Sequence, residues 1–411
     1  MKVVHINATD AYGSTGVLAK QIQAGLIQQG HACRIYAADV REGGMEIGSG
    51  LGRKTHAFLS RLMGLQGYYS RFATHKLIEE MKAYKPDIVH LHNLHANYLY
   101  FPALFRYLQK NQVATFVTLH DCFLFTGKCS HYLKDGCNKW QTECGDCPRL
   151  KTDNKSWFFD RTKKMFLDKK KWFSNLENLN VIGVSKWIAG EAKKSFLQSA
   201  RTVNSIYNWV DLECFAPRDA TELRKKLGLE GKVVVLGVSA SWSNAKGLDD
   251  FVTLAKELDA RYKVVLVGNV SEEKIAGTGI VHIPPIRDAH ELACYYNMAD
   301  VFVNASVQET FGLTTAEALA CGTPCVVYNK TACPELIGEG CGYVVENYAA
   351  LKKQICSVAG GGKSAFAKAC RLHAQTMFCM ETNIDKYIEL YIQAQPKTDS
   401  AKRKDESNVR K

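Results

Sequence analysis

The stretch "QETFGLTTAEALACGTPCVV", residues 308 to 327, decides the fold. It follows an apolar run, "VFVNAS", and contains a helical pattern, "TTAEALACG", which ends at Gly322 and Pro324 before a second apolar run, "PCVVYN". Apolar runs this continuous, separated by a helix, are typical of parallel strands covered on both faces. The stretch therefore predicts one unit of a doubly wound α/β fold.

The same alternation of strands and helices fills most of the chain in two series. One series begins at residues 2 to 8 and the other at "KVVVLGVSA", residues 232 to 240; between them, residues 204 to 219 mix turn formers with isolated apolar residues. We predict two Rossmann-like, doubly wound domains, residues 1 to 209 and 210 to 394. The polar residues 395 to 411 are predicted to form a disordered tail.

Composition restricts the class of protein. The 411 residues are 46% hydrophobic, yet no apolar stretch approaches the roughly 18 residues of a membrane span, and the first residues lack the apolar segment of a signal peptide. We expect a cytoplasmic globular protein whose fifteen cysteines are mostly reduced. The formal net charge of +12 indicates an anionic partner, which could be nucleic acid, lipid headgroups or a phosphorylated substrate.

Two acids, Glu309 and Glu317, flank a glycine in the opening stretch. Ligands of open parallel sheets bind at the carboxyl ends of the strands, where Gly312 would let a phosphate or sugar approach the backbone and the helix N-terminus. Glu317, expected in the first turn of that helix, can accept two hydrogen bonds from the vicinal diol of a ribose. The spacing equally fits a capping box of Thr314 and Glu317, in which Glu317 is a structural cap and Glu309 a solvated loop acid.

Several motifs together resemble the retaining family 4 glycosyltransferases. "ETFGLTTAE" is similar to that family's pair of glutamates separated by seven residues, "VSASWSNAKGLDDF" to its lysine-glycine donor motif, and "YNWVDLECFAP" to its linker motif. The resemblance implies the GT-B fold, in which two Rossmann-like domains face each other across an interdomain cleft. It also implies a nucleotide-sugar donor, linked to UDP or GDP, held mainly by the second domain.

The resemblance implies roles for residues of both domains. Glu317 would hold the ribose, Glu309 the transferred sugar and Lys246 the departing diphosphate. His120, which ends the strand in "TLHDC", would touch the donor sugar, so the catalytic candidates are His120, Lys246 and Glu309. Retention of configuration in this family is ascribed to a front-face reaction without a dedicated base or a divalent metal, so no cofactor is expected for transfer.

Backbone contacts to the donor are expected at two loops. The loop after "VFVNAS" would contact the sugar and the diphosphate, and the glycine-rich loop "AYGSTG" of the first domain would let backbone approach the donor phosphate or the acceptor. The residues concerned are Phe311, Gly312 and Leu313 in the second domain and Gly13 and Gly16 in the first. A plain tight turn remains the alternative for "AYGSTG", because its spacing is not that of a dinucleotide fingerprint.

One part of the donor motif departs from the family pattern. The family carries an arginine five or six residues before the motif lysine, whereas this chain has Ser241 and Ala240 there. The diphosphate would then depend on Lys246 alone or on a cation from elsewhere in the chain, for which Arg287 is the candidate.

Four of the five cysteines in residues 122 to 150, a segment that we interpret as an insertion in the first domain, are candidate metal ligands. The segment ends in a C-x2-C pair, and soft thiolates in such a pattern favour a structural zinc over four unconnected thiols. The four are Cys129, Cys137, Cys144 and Cys147. Separately, His90, His92 and His95 in "VHLHNLH" alternate as strand residues do, which fits either a metal site or packing at the strand end.

Residues 151 to 173 combine eight basic and three acidic residues with six aromatic ones. This composition suits the surface of an anionic membrane, and it equally suits an amphipathic helix whose aromatic side chains enter the core. Together with the resemblance, it predicts an enzyme on the inner face of the plasma membrane. That enzyme would add a hexose to a glycan or lipid-linked acceptor of a capsule, O-antigen or exopolysaccharide.

Two other functions fit parts of the sequence. A nucleotide-sugar epimerase would share the fold and the donor but use no acceptor, and a phosphorylase would need a lysine for pyridoxal phosphate that nothing beyond fold analogy indicates. A basic nucleic-acid-binding protein would explain the charge. No recognisable RNA- or DNA-binding module is present, so no nucleic-acid partner is expected.

Overall fold

The computed structural model describes residues 1 to 395 and contains two parallel β-sheets, each with helices on both faces. The predicted tail, residues 395 to 411, lies outside the described residues except for Gln395. The strands of the first sheet are β1 (Lys2–Thr9), β2 (Ala32–Asp39), β3 (Met45–Glu46), β4 (Ile88–Leu91), β5 (Ala114–Leu119), β6 (Leu179–Gly183) and β7 (Thr202–Ser205). The helices that follow them are α1 (Gly13–Gln28), α2 (Gly50–Met63), α3 (Arg71–Tyr84), α4 (Phe101–Asn111), α5 (Thr162–Ser174) and α6 (Lys186–Lys194).

The second sheet is built in the same way. Its strands are β8 (Val233–Ser241), β9 (Tyr262–Asn269), β10 (Val281–Ile283), β11 (Val301–Asn304), β12 (Cys325–Tyr328) and β13 (Gly342–Val345). Its helices are α7 (Thr221–Lys226), α8 (Leu248–Glu257), α9 (Glu272–Ile275), α10 (Ala289–Met298), α11 (Leu313–Ala320), α12 (Tyr348–Gly361) and α13 (Ser364–Met377), and the chain continues into α14 (Met380–Ala394). The predicted pair of Rossmann-like α/β domains with the GT-B architecture is confirmed.

Strand order places a switch point in each sheet. The order is β3-β2-β1-β4-β5-β6-β7 in the first sheet and β10-β9-β8-β11-β12-β13 in the second. The direction in which successive strands are added reverses between β1 and β4 in the first sheet and between β8 and β11 in the second. The central strands are apolar along their whole length, since every residue of β4, β5 and β11 is buried. Crevices for ligands open beyond the carboxyl ends of strands at such switch points.

The last helix crosses back to the first domain. The side chains of Tyr387 and Tyr391 on α14 are buried among residues of the first sheet, and the Tyr391 hydroxyl hydrogen-bonds to His90 Nδ1 on β4 at 2.5 Å. The sequence-based division assigned residues 380 to 394 to the second domain, and this part of the division differs from the packing. The helix repeats the apolar periodicity of its neighbours, so its sequence pattern does not show which sheet it covers.

Candidate active site in the interdomain cleft

A cavity of about 510 Å³ lies between the two domains, at the carboxyl ends of β8 and β11. The second domain contributes the end of β8, the end of β11 and the first residues of α11, and the first domain contributes Ser14 at the start of α1. Side chains or backbone of Ser241, Lys246, Glu309 and Leu313 line it. The structure therefore brings Lys246, Glu309 and Leu313, which were predicted separately from sequence, into one cavity.

Two helices begin at this cavity without side-chain caps. Helix α1 begins at Gly13 and α11 at Leu313, and neither first turn contains an acid or a capping side chain. Their free backbone N–H groups and positive helix ends suit an anion. Gly312 precedes α11 with a φ of +102°, in the left-handed region that favours glycine, so the chain can turn into the helix directly beside the cavity.

Lys246 and Glu309 form an ion pair across the cavity. The distance from Lys246 Nζ to Glu309 Oε1 is 2.6 Å, and both side chains are partly exposed. The turn that presents Lys246 requires Gly247, because its φ is +77° and a Cβ there would lie 2.4 Å from the Cβ of Ala305 at the end of β11. Lys246 is the one basic side chain among the described residues that line the cavity.

Glu317 occupies a different position from the one expected. It lies in the second turn of α11, whose N-cap is Gly312 without a side-chain hydrogen bond, so the capping box with Thr314 is not formed and the expected first-turn placement is wrong. The Tyr296 hydroxyl donates a hydrogen bond to Glu317 Oε2 at 2.6 Å. Burial raises the pKa of the Glu317 carboxyl to about 7, although the hydrogen bond from Tyr296 acts in the opposite direction.

His120 reaches the cleft from the first domain. Its backbone carbonyl accepts a hydrogen bond from Thr310 Oγ1 at 2.8 Å, which connects the end of β5 to the loop that carries Glu309. The His120 Nε2 atom is 3.2 Å from His92 Nδ1, and His92 Nε2 is 2.8 Å from His5 Nδ1. Burial lowers the pKa of His120 to about 4, so its imidazole is neutral near pH 7.

The histidines of "VHLHNLH" have separate environments. His90 and His92 lie with His5 in one buried cluster whose nitrogens come within 4.8 Å of one another. Both ring nitrogens of His90 already have partners, the hydroxyls of Tyr391 and Thr118, which favours packing over a metal. His95 lies apart from this cluster, at the insertion.

Six of the nine predicted donor contacts do not themselves line the cavity: Gly13, Gly16, Arg287, Phe311, Gly312 and Glu317. Phe311 is buried, with 3% of its surface exposed. Arg287 is exposed in the loop between β10 and α10 and does not line the cavity. Gly16 is buried where α1 packs on β1, and a Cβ there would lie 2.5 Å from Thr9 Oγ1. Gly16 therefore has a packing role in the structure, and donor binding by Gly16 or by Arg287 stays a prediction.

Sequence reasoning missed polar groups that the insertion and the end of β5 bring to the cleft. His131, from the insertion, lies close enough to Asp121, Glu309 and Lys246 for their charges to act on its ring, and its Nδ1 is buried without a partner among the described residues. His95 Nε2 is 2.7 Å from an oxygen of Asp121. Burial disfavours a charged His95, but the hydrogen bond and charge of Asp121 outweigh it and raise its pKa. The adjacent His120 and Asp121 before the insertion were a sequence signal for Asp121. No local sequence pattern predicts that His131 lies near the cleft.

Comparisons with known proteins agree with this architecture. The sequence model described as "Glycosyltransferase Family 4" matches residues 15 to 214, and the one described as "Glycosyl transferases group 1" matches residues 219 to 393. Sucrose-phosphate synthase from Thermosynechococcus elongatus superimposes with a TM-score of 0.66 at 18% identity, covering 95% of this chain and 98% of that one. The structure of Anabaena HepE in complex with UDP gives a TM-score of 0.67 at 15% identity, covering 96% of this chain and 100% of that one.

Curated relatives align over parts of their length. The putative colanic acid biosynthesis glycosyl transferase WcaC of Escherichia coli is 24% identical over 63% of this chain and 64% of its own length. The N-acetyl-alpha-D-glucosaminyl L-malate synthase of Bacillus anthracis is 29% identical over 36% of this chain and 41% of its own. The matched segment thus spans less than two thirds of each of these relatives. From the two adjoining family matches and the two-domain fold, the chain belongs to the family 4 glycosyltransferases.

Proposed function

We propose that the protein transfers a hexose, with retention of anomeric configuration, from a nucleotide-sugar donor to a glycan or lipid-linked acceptor in polysaccharide synthesis. The observation that carries the proposal is the cleft cavity, where two uncapped helix N-termini lie beside Lys246 and Glu309. One member of the fold, Anabaena HepE, has crystal structures with UDP and with UDP-glucose, which supports the same class of donor here.

The diphosphate of the donor would be bound by Lys246 and the two helix ends. Without donor, Lys246 is held by Glu309. A bound diphosphate carries more negative charge than the Glu309 carboxylate, so it attracts the Lys246 ammonium group away from Glu309. The Glu309 carboxylate is then free to accept hydrogen bonds from sugar hydroxyls. A unit charge about 4 Å from a phosphate oxygen contributes roughly 4 kcal/mol at an effective dielectric constant near 20. With no arginine at Ala240 or Ser241, much of the charge stabilisation of the leaving group depends on Lys246.

Glu317 and His120 would hold the two ends of the donor. An ionised Glu317, oriented by Tyr296, would accept hydrogen bonds from the two ribose hydroxyls. These bonds would replace the hydrogen bonds to water that the carboxylate loses because it is buried. His120, kept neutral by burial, would bind a hydroxyl of the transferred sugar without adding charge near the anomeric carbon. In a front-face reaction the leaving phosphate takes the acceptor proton, so these residues position the donor and leave proton transfer to the substrates.

The acceptor would approach from the first domain, where an exposed apolar surface lies beside basic side chains. Phe58 on α2 packs edge-to-face on Trp157 at 5.7 Å between ring centroids, and Phe158 and Phe159 follow with 68% and 44% of their side chains exposed. Phe173, in contrast, is buried, so the aromatic residues of 151 to 173 divide between surface and core. No helix among residues 1 to 395 is long and apolar enough to cross a membrane. We assign the exposed group, Phe58 and Trp157 to Phe159, to contact with an anionic membrane carrying a lipid-linked acceptor.

The donor is identified by thermal shift with UDP, GDP, ADP and their common sugars, because selective binding raises the melting temperature by mass action. We expect one nucleotide and its sugars to give a clear shift; no shift with any of them, together with retention of nucleic acid, would support the nucleic-acid-binding alternative. The stabilising sugar nucleotide is then incubated alone and recovered. An epimerase converts the sugar without acceptor, whereas a transferase returns it unchanged.

A further inference from the structure

The cysteine-rich insertion surrounds a small cavity whose walls carry four thiols. Residues 122 to 161 contain two short 3-10 turns and, among the described residues, no strand or α-helix. Cys129, Cys137, Cys144 and Cys147 all line one cavity of about 20 Å³. A cavity of roughly 10–15 Å³ or more holds one water-sized particle, so this one has room for a single ion.

Backbone N–H groups are directed at two of the four insertion sulfurs. The backbone N–H of Gly127 donates to Cys144 Sγ at 3.2 Å. Cys147 Sγ lies beside the backbone N–H of Arg149 and beside the Cys129 thiol. Core cysteines such as Cys122 are instead fully buried among apolar residues. Backbone N–H groups directed at sulfur stabilise thiolates, the form required of a metal ligand.

Two buried lysines adjoin the thiols and lack a carboxylate partner. Lys169 Nζ donates to the carbonyls of Phe123 and Thr126 at 2.6 and 3.0 Å, and Lys128 Nζ donates to the carbonyl of Leu150 at 2.7 Å. Both side chains are 2% exposed, and neither forms an ion pair within 4.0 Å of a carboxylate in the described part of the chain. A buried ammonium group needs a nearby negative charge, because desolvation of an unpaired cation is costly.

We propose that Cys129, Cys137, Cys144 and Cys147 bind one Zn²⁺ through four thiolates, and that the resulting charge of −2 neutralises Lys128 and Lys169. Zinc sites of this type are tetrahedral and contribute directly to folding. The sulfurs are spaced more widely than such a site requires, since no three of them lie within 4.8 Å of one another. Zinc binding therefore moves the four sulfur atoms closer together. The metal also cross-links a loop that has no regular secondary structure to hold it.

The zinc would stabilise one wall of the cleft. His131 lies two residues after Cys129 and close to Glu309 and Lys246, so the metal fixes the backbone that presents His131 to the donor site. Its role is structural, because the cysteines themselves do not line the cavity that holds Lys246 and Glu309.

Metal content tests the proposal independently of catalysis. Protein purified under reducing conditions, without added metal, is analysed by inductively coupled plasma mass spectrometry, and we expect about one zinc per chain. Cys144→Ser combined with Cys147→Ser should abolish it, whereas Cys356→Ser combined with Cys379→Ser, which changes two cysteines outside the insertion, should retain it. Zinc-free wild-type protein refilled with Co²⁺ should show the visible absorption of tetrahedral thiolate-bound cobalt.

A readout on wild-type protein covers the case in which the cysteine variants do not fold. Titration with an organomercurial should release zinc in step with modification of the four insertion thiols, identified by peptide mass spectrometry. Zinc-free protein with four freely reactive insertion thiols and an unchanged melting temperature, or disulfides among them under reducing conditions, would overturn the proposal. Because zinc content is measured without donor or acceptor, this test can fail while the proposed transferase function stands, and the reverse is equally possible.

Discussion

Replacing Glu317 by glutamine should make the free protein more stable and the donor complex weaker. Glu317 is 8% exposed, and its carboxyl group has its pKa raised from 4.5 to about 7. Holding that group ionised in the folded protein costs about 3 kcal/mol relative to the unfolded chain. Glutamine keeps the shape and can still accept the hydrogen bond from the Tyr296 hydroxyl, and it has no charge to bury.

The pH dependence follows from the sign of that shift. A raised pKa means that folding favours the protonated carboxyl, so the contribution of Glu317 to stability is complete below pH 4.5 and is lost as the pH rises through about 7. Near pH 5 the variant and the wild type should therefore have similar free energies of unfolding. Near pH 8 the variant should be more stable by up to about 3 kcal/mol.

Melting temperatures between pH 5 and pH 8.5 measure the first effect, and calorimetric titration with the stabilising nucleotide measures the second. We expect the loss of the charged acceptor to weaken nucleotide binding by about 1.5–3 kcal/mol, roughly tenfold to a hundredfold. Glu339→Gln, an exposed acid of the same domain, should change neither quantity appreciably. A Glu317→Gln variant that is less stable at pH 8, with unchanged nucleotide affinity, would refute the ribose assignment.

Three further predictions concern the cleft and the surface. Lys246→Met should lower kcat/KM by about 100- to 1,000-fold, because about 4 kcal/mol of charge stabilisation is lost, while Lys256→Met on the exposed side of α8 should keep wild-type kinetics. Gly247→Ala should lower the melting temperature and the activity together, since its φ is positive and the new Cβ would meet β11; circular dichroism during heating measures the first effect. Phe158→Ser should reduce sedimentation with anionic vesicles, whereas Leu372→Ser, an equally exposed apolar residue of the second domain, should not; equal binding by both variants would contradict the membrane surface.

The sequence predicted the structure best where it showed a clear strand and helix periodicity and where charged residues stood beside a glycine turn. Apolar strands alternating with helices predicted both sheets, and the lysine-glycine turn and the acid before Gly312 predicted Lys246 and Glu309, which the fold then brings within 2.6 Å. The pattern "TTAEALACG" placed Glu317 in the first turn of a helix that begins at Thr314, whereas the turn at Gly312 starts the helix at Leu313 and puts Glu317 in the second turn.

Contacts between distant segments could not be predicted in this way. The His5–His92–His120 chain joins three strands, and Tyr391 reaches His90 from the other end of the chain, 301 residues away. His131 belongs to a loop without a periodic pattern, so only the folded insertion shows that it lies near Glu309 and Lys246. Local sequence fixes neither the partner nor the direction of such side chains.

The most direct test of the donor site is calorimetric titration of UDP, GDP and ADP into the wild-type protein and into Lys246→Met. The account predicts that one nucleoside diphosphate binds the wild type at a single site and that the substitution weakens that binding at least tenfold, which corresponds to about 1.4 kcal/mol. Binding of none of the three, or binding that Lys246→Met leaves unchanged, would contradict the assignment of the cleft as a nucleotide-sugar site.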